Sequence, residues 1–155
     1  MILFLGGSGD LGSIAVDELR RRGEEVIAPT SKELNLTNQG AVESFCRELP
    51  KKYGVIFAAF VDRRRGETIA EYDTNLSITQ NVLTYTRPEW MVFTSSIVVY
   101  GESPTLPITE SSALVDSGWY GKSKREAEHM VVTWSRDKFP ALVARLPGVF
   151  GGRSH

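Results

Sequence analysis

The sequence is poor in the residues that build disulfides and metal centres. Its 155 residues include one cysteine, Cys46, and two histidines, one of which is the last residue. A single cysteine excludes an internal disulfide and suits a reducing compartment. Two histidines placed in this way form no cluster with metal-ligand spacing. We therefore expect a cytoplasmic protein without a metal site.

Long hydrophobic runs and a strong charge of one sign are missing as well. No apolar segment approaches the roughly 20 residues that cross a bilayer, and no secretory signal is recognisable. The formal net charge of -1 gives no electrostatic reason to bind nucleic acid or an anionic membrane. We expect no partner of either kind. A hydrophobic content of 41% over 155 residues suffices for one soluble domain, residues 1–155, with its own core.

Glycines recur every third residue near the start of the chain. Gly6, Gly9 and Gly12 follow the apolar run 2–5 and precede a helical pattern that begins at Leu11. Gly6 permits a tight turn, Gly9 lets a pyrophosphate approach the backbone, and Gly12 lets the helix pack closely on the strand. The N-terminus of that helix would face the phosphates. This arrangement predicts a dinucleotide site.

Apolar segments alternate with helical ones along the rest of the chain. Strands are predicted at 2–5, 25–28, 54–59, 90–94 and 141–146, and later helices at 39–49, 68–86 and 119–138. Strands that are apolar almost throughout indicate a parallel sheet covered on both faces. With the glycine loop, the pattern predicts a doubly wound α/β fold of Rossmann type. We expect the strand order 3-2-1-4-5, with ligands at the carboxyl ends of the strands.

Two groups of residues at these strand ends carry chemistry. Thr94 to Ser96 form a hydroxyl-rich end of the fourth strand, and Tyr120 and Lys124 lie one turn apart on the following helix. A nearby ammonium lowers the pKa of a tyrosine, so that it can transfer a proton at an alcohol or ketone. Such pairs are also common on exposed helices, so the pair alone does not decide the function.

Taken together, the motifs resemble the extended short-chain dehydrogenase/reductase family, of the NAD-dependent epimerase/dehydratase type. The matching segments span the chain: the glycine loop, Ala58-Ala59, NLSITQNVL from Asn75, Ser95-Ser96-x-x-Val99-Tyr100-Gly101, Pro107-x-x-Glu110, Tyr120-x-x-x-Lys124, and Arg145-Leu-Pro-Gly-Val-Phe-Gly151. The loop residues Asp10 and Leu11 and the segment 32–38 are most similar to dTDP-4-dehydrorhamnose reductases and GDP-fucose synthases.

The resemblance implies roles for individual residues. Tyr120 would be the general acid/base, Lys124 would lower its pKa and bind the nicotinamide ribose, and Ser96 would orient the substrate oxygen. The implied cofactor-binding set is Gly6, Ser8, Gly9, Asp10, Leu11, Gly12, Thr30, Ser31, Asn35, Leu36, Ala58, Ala59, Asn75, Thr94, Tyr120, Lys124, Pro147 and Val149.

The function expected from this resemblance is hydride transfer between NAD or NADP and a nucleotide-linked sugar. Within this class a reductase is preferred, because Ile97 and Val98 follow Ser96 where sugar 4,6-dehydratases carry an Asp-Glu pair. The alternatives are a dinucleotide-binding regulator without catalysis and an interaction module.

The end of the second strand bears on the choice of cofactor. Thr30, Ser31 and Lys32 offer two hydroxyls and a cation, with no carboxylate before Glu33. That composition favours a 2'-phosphate over a bare 2'-hydroxyl, and hence NADP over NAD.

Related enzymes continue into a smaller substrate domain and commonly dimerise through two helices. We expect this chain to be the dinucleotide-binding part of a longer enzyme, a reduced homologue being the alternative. A homodimer is expected through helices 68–86 and 119–138. The apolar residues thought to exceed the needs of the core there are Ile78, Val82, Met130 and Val132.

Overall fold

Five parallel strands and four helices alternate along the described part of the chain. The computed structural model describes residues 1–61, 67–101, 106–115 and 118–148. The strands are β1 (Ile2–Leu5), β2 (Val26–Ile27), β3 (Gly54–Phe57), β4 (Trp90–Ser96) and β5 (Ala141–Leu146). The helices are α1 (Asp10–Arg21), α2 (Gln39–Arg47), α3 (Ile69–Tyr85) and α4 (Gly118–Ser135), and a 3-10 turn (Ile97–Tyr100) follows β4. The predicted doubly wound parallel fold is confirmed.

The strand order differs from the predicted one. The sheet runs β2-β1-β3-β4-β5, so the third strand of the chain lies between β1 and β4 rather than at the edge beyond β2. In the expected order, the third strand, 54–59, would lie beyond β2 at the outer edge of the sheet. It pairs instead with β1 on one side and β4 on the other. Strand β3 is buried along most of its length, which suits an interior position.

One face of the sheet carries the main core. Alternate side chains of β1, β3 and β4 form a single buried cluster with residues of α2, α3 and α4; its members include Leu3, Leu5, Val55, Phe57, Met91, Phe93, Val42, Val82 and Val131. Helix α1 lies on the opposite face, where Leu11 and Ala15 border a groove with Phe4 and Ile56. The two central helices, α3 and α4, pack side by side.

Local signals explain where the helices begin. Asn38 caps α2 by accepting from the Ala41 N–H at 3.0 Å. Thr68 caps α3 in a reciprocal capping box with Glu71, whose carboxylate accepts from the Thr68 N–H at 2.9 Å. These bonds satisfy N–H groups that a helix start otherwise leaves unpaired.

The prediction that α3 and α4 carry apolar residues beyond the needs of the core is wrong for three of the four residues named. Ile78 and Val82 are 8% and 0% exposed, and Met130 is half-buried against the core. These side chains serve the fold of this chain itself, because helical periodicity places them toward the sheet. Val132, in contrast, is 49% exposed.

Cys46 has the packing role that its place beside an apolar helix face indicates. It is half-buried against the core cluster, and burial raises the pKa of its thiol to about 11. Among the helices of the described segments, none is both long and apolar enough to cross a membrane.

Candidate functional site

The glycine loop folds tightly between β1 and α1. Gly6 has a φ of 96°, and a Cβ placed on it would lie 2.7 Å from the backbone of Ala58 and Ala59. A Cβ on Gly12 would lie 2.0 Å from the Gly6 carbonyl oxygen. Both positions therefore require glycine for the packing of the protein itself, and they bring the loop, the helix start and the alanine pair together.

Gly9 differs from its two neighbours in the motif. Its φ is -79°, which any residue adopts, and a Cβ there would meet the Gly6 oxygen at an ordinary 3.5 Å. In the described structure, neither the backbone conformation nor the packing therefore requires glycine at this position. Gly9 is the N-cap of α1, and no side chain within the described segments caps that helix.

An uncapped helix start beside an open glycine is a fitting cradle for a phosphate group. The first N–H groups of a helix point toward such an anion, and the helix dipole favours its charge. A side chain at Gly9 would occupy this space. The arrangement therefore fits the pyrophosphate of a dinucleotide, the group for which the glycine spacing predicts a site.

The residues after β2 are held by their own side chains. The Glu33 carboxylate accepts from the Thr30 N–H at 2.8 Å and from its hydroxyl at 2.9 Å, and these bonds hold the pKa of Glu33 below its ordinary value. Asn35 accepts from the N–H and hydroxyl of Thr37 at 3.0 and 2.8 Å. Ser31 is exposed, whereas Leu36 is half-buried against the core.

Asn75 lies behind the end of β3 rather than at the surface. It is 1% exposed, and its amide accepts from the Val61 N–H at 2.7 Å and donates to the Val61 carbonyl at 3.2 Å. It also donates to Ser123 on α4 at 3.4 Å. The amide thus fixes the segment after β3 against α4.

The tyrosine–lysine pair lies next to the end of β4. Lys124 is 3% exposed, and its Nζ donates to the Thr94 carbonyl at 2.7 Å. The same Nζ is 5.8 Å from the centre of the Tyr120 ring. Tyr120 is half-buried in the first turn of α4, and the Ser96 hydroxyl, at the end of β4, accepts from the Val98 N–H at 3.4 Å.

Contacts connect the glycine loop to this pair. Gly6 lies against Ala58. Ala58 and Thr94, together with Leu11, border one groove of about 330 Å³. The Thr94 carbonyl in turn accepts a hydrogen bond from Lys124. Pro147 is exposed just after β5, and Val149 lies outside the described residues. Among the described residues, the contacts thus bring Gly6, Ala58, Thr94 and Lys124 together at one edge of the sheet, whereas Asn75 and Leu36 are directed into the packing behind it.

A charged network beside the site was not predicted. Arg145 of β5 donates to the Glu128 carboxylate from Nη2, at 2.7 Å, and from Nε, at 3.1 and 3.2 Å, and to the Tyr100 hydroxyl at 2.7 Å. It also reaches the Glu110 carbonyl at 3.2 Å. Hydrogen bonding to Glu128 raises the pKa of Arg145 above its ordinary value. The network ties β5, α4 and the turn after β4 together.

Replacing Arg145 with methionine is expected to lower the free energy of unfolding by about 3–5 kcal/mol, because Glu128 would remain buried without its counter-ion. The Glu128 side chain is 6% exposed. Thermal and urea unfolding followed by circular dichroism measure the loss. Adding Glu128→Leu to Arg145→Met should recover much of it.

A surface pair provides the control for this measurement. Arg21 contacts Glu18 at 2.7 Å, but their side chains are 71% and 39% exposed. Arg21→Met is therefore expected to unfold within experimental error of the wild type. Equal effects of Arg21→Met and Arg145→Met would contradict a stabilising role for the buried pair.

A family model settles the classification of this chain. The model of the NAD dependent epimerase/dehydratase family matches residues 2–155. The chain belongs to this family. The resemblance inferred from the motifs is thereby confirmed.

Individual members of the epimerase/dehydratase family agree with this assignment. The chain is 30% identical over 160 residues to the spore coat polysaccharide biosynthesis protein SpsK of Bacillus subtilis, with 97% of this chain and 53% of SpsK covered. A UDP-glucose 4-epimerase of Streptomyces lividans is 28% identical over 83% of this chain and 46% of its own. The chain thus spans about half the length of these curated relatives.

Solved structures of other proteins share the fold. A UDP-glucose 4-epimerase from Thermus thermophilus in complex with NAD superposes with a TM-score of 0.83 at 25% identity, over 99% of this chain and 57% of that one. A GDP-D-glycero-L-gluco-heptose synthase from Campylobacter jejuni, solved with NADPH, gives 0.85 at 23% identity, over 99% and 49%. Both nucleotides therefore occur among the structural neighbours.

Proposed function

We propose that this chain is the dinucleotide-binding part of an NAD(P)-dependent enzyme that reduces or epimerises a nucleotide-linked sugar. The observation that supports this most directly is the position of Lys124. Its ammonium is buried between the Thr94 carbonyl, at 2.7 Å, and the Tyr120 ring, at 5.8 Å. This is the neighbourhood that a proton-transferring tyrosine needs.

The nicotinamide ring, when bound, accepts or supplies the hydride. The pyrophosphate would be held by Gly6, Gly9, Gly12 and the start of α1. Lys124 would bind the ribose next to the nicotinamide. Tyr120 would transfer the proton at the sugar oxygen, since a nearby positive charge favours the phenolate over the phenol. The Ser96 hydroxyl would orient the same oxygen.

A cavity lies at the turn that follows Ser96 in the chain. It has a volume of about 590 Å³, and its lining includes Ile97, Tyr100, Glu110 and Ala144. A nucleotide-linked sugar has the size and polarity for such a site. We prefer a reductase, because Ile97 and Val98 provide no acid or base of the kind that a sugar dehydratase needs beside its serine.

We favour NADP as the cofactor. The structure also brings the Glu33 carboxylate onto Thr30, closer to this turn than the sequence pattern indicates. Ser31 and Lys32 are exposed at the end of β2 and suit a 2'-phosphate. Glu33, however, folds back onto Thr30, so that a negative charge stands beside the same turn. Affinities for NADP and NAD, measured side by side, decide between the two.

Calorimetry with NADP(H) and NAD(H), followed by turnover assays, tests the proposed function. The assays use GDP-, UDP- and dTDP-linked 4-keto sugars and record the absorbance of the reduced nicotinamide. We expect dinucleotide binding by this chain and, in the longer enzyme of which we propose it is a part, a hydride transfer that depends on the sugar nucleotide. Dinucleotide binding without turnover by that longer enzyme would favour a regulator, and absence of dinucleotide binding would overturn the proposal.

We further propose that the protein is a homodimer through α3 and α4, which pack side by side. Val132→Glu is expected to convert a dimer into a monomer, since a two-fold interface would receive two charges at once. Sedimentation at micromolar concentration measures the change. Leu142→Glu is the control, because Leu142 is 59% exposed on β5, outside both helices. A wild-type monomer would contradict the dimer.

A further inference from the structure

Lys124 contacts an aromatic ring more closely than it contacts Tyr120. Its Nζ lies 3.7 Å from the centre of the Phe60 ring and 5.0 Å from that of Phe93. A cation over the face of an aromatic ring within about 6 Å is attracted by the ring quadrupole. The attraction is largest where water is excluded, and Lys124 is 3% exposed.

We propose that Phe60 is a positioning residue for Lys124: its ring face, together with the Thr94 carbonyl, fixes the ammonium in the orientation in which it serves Tyr120 and the dinucleotide. This rests on the proposed function, in which Lys124 binds the nicotinamide ribose. Burying an ammonium is unfavourable unless nearby groups compensate for the lost water. The ring supplies part of that compensation without competing for the proton.

The Phe60 ring is itself held in place from several directions. Its centre lies 6.0 Å from that of Phe57 and 5.6 Å from that of Phe93, with tilted planes. The backbone on either side is anchored as well, since Ala58 N–H donates to the Leu5 carbonyl at 2.8 Å and Val61 N–H donates to the Asn75 amide at 2.7 Å. A ring fixed in this way can fix the cation that lies on it.

The competing explanation is that Phe60 only packs in the core. A substitution at Phe57 distinguishes this packing role from the positioning of Lys124. Phe57 belongs to the same ring cluster and is 0% exposed. In the described part of the chain, the aromatic rings found within cation–π range of Lys124 are those of Phe60, Phe93 and Tyr120. Phe57→Leu therefore removes aromatic packing without removing the ring that faces the ammonium.

Dinucleotide affinity and the NMR signals of Lys124 provide two independent readouts. Phe60→Leu is expected to weaken NADP(H) binding by about three- to tenfold, because Lys124 loses its fixed orientation. Phe60→Tyr should restore the affinity, and Phe57→Leu should bind within about twofold of the wild type despite its lower melting temperature. In the double variant Phe60→Leu/Lys124→Met, binding should be no weaker than in Lys124→Met alone.

The NMR readout does not depend on any ligand. The ε-methylene protons of Lys124 should resonate upfield in the wild type and in Phe60→Tyr, because the Nζ next to them lies over the Phe60 ring at 3.7 Å from its centre, and they should move downfield in Phe60→Leu. If Phe60→Leu fails to fold, Phe60→Met takes its place as a flexible apolar substitute.

Two results would overturn the positioning role. One is an unchanged ε-methylene shift in Phe60→Leu, and the other is a double variant whose losses in affinity add. A wild-type chain that binds neither NADP nor NAD would overturn the proposed function instead, while the NMR comparison would still decide whether Phe60 holds Lys124.

Discussion

In the longer enzyme of which we propose this chain is a part, Tyr120→Phe is expected to lower kcat for hydride transfer by about 10²–10⁴-fold, the range that general acid/base catalysis contributes. The change removes the hydroxyl that would exchange a proton with the sugar oxygen. It leaves the ring in place in the first turn of α4. Affinity for the dinucleotide should stay within about twofold of the wild-type value, because Lys124 and the glycine loop are unchanged. Steady-state kinetics and calorimetry on the same preparations measure both quantities.

Tyr85→Phe provides the matched control for this loss. Tyr85 is the last residue of α3, where its hydroxyl accepts a hydrogen bond from Gln39. Deleting that hydroxyl should leave kcat unchanged, since it lies at the other end of the helix from the site. Turnover of Tyr120→Phe at the wild-type rate would show that another group supplies the proton.

Gly9→Val is expected to weaken dinucleotide binding by about 100-fold or more while the protein remains folded. The open space before α1 accepts a side chain, as the 3.5 Å distance to the Gly6 oxygen indicates. That side chain would keep the pyrophosphate away from the helix N–H groups. Losing one or two hydrogen bonds to a charged group, at about 1.5–3 kcal/mol each, accounts for the size of the effect. Calorimetry and thermal unfolding give affinity and stability.

Gly12→Ala should lower the stability of the protein, whereas Gly9→Val should lower its affinity for the dinucleotide. Its new Cβ would lie 2.0 Å from the Gly6 oxygen, so that α1 would have to move away from the loop. We expect a clear drop in melting temperature, and a loss of binding that follows from the loss of structure. If Gly9→Val bound the dinucleotide as tightly as the wild type, the glycine loop would not be the phosphate site.

The fold could be predicted from the sequence because two independent patterns agreed. Apolar strands such as β1 indicate a parallel sheet, and the spacing of Gly6, Gly9 and Gly12 indicates how the sheet meets the first helix. The strand order could not be predicted, because apolar composition shows that a strand is buried but not which strand lies beside it. The pairing of β3 with both β1 and β4 decides that question.

The site was predictable in its residue types and less so in its contacts. Tyr120 and Lys124 are four residues apart, so helical geometry alone places them on one face. The partners of Asn75 and Lys124 depend on the path of the backbone after β3, which no local pattern encodes. For the same reason Phe60 was missed, although its place directly after Ala58 and Ala59 was a usable signal. Glu128 was missed because a carboxylate on a helix is usually exposed.

The buried Arg145–Glu128 pair also constrains how this sequence can change over generations. A mutation at either position alone leaves a desolvated charge, and a marginally stable domain tolerates few losses of that size. Neutral drift is therefore expected to exchange the two positions together or to keep both. Descendants of this gene should carry an acidic and a basic residue there as a unit, or an apolar couple in their place.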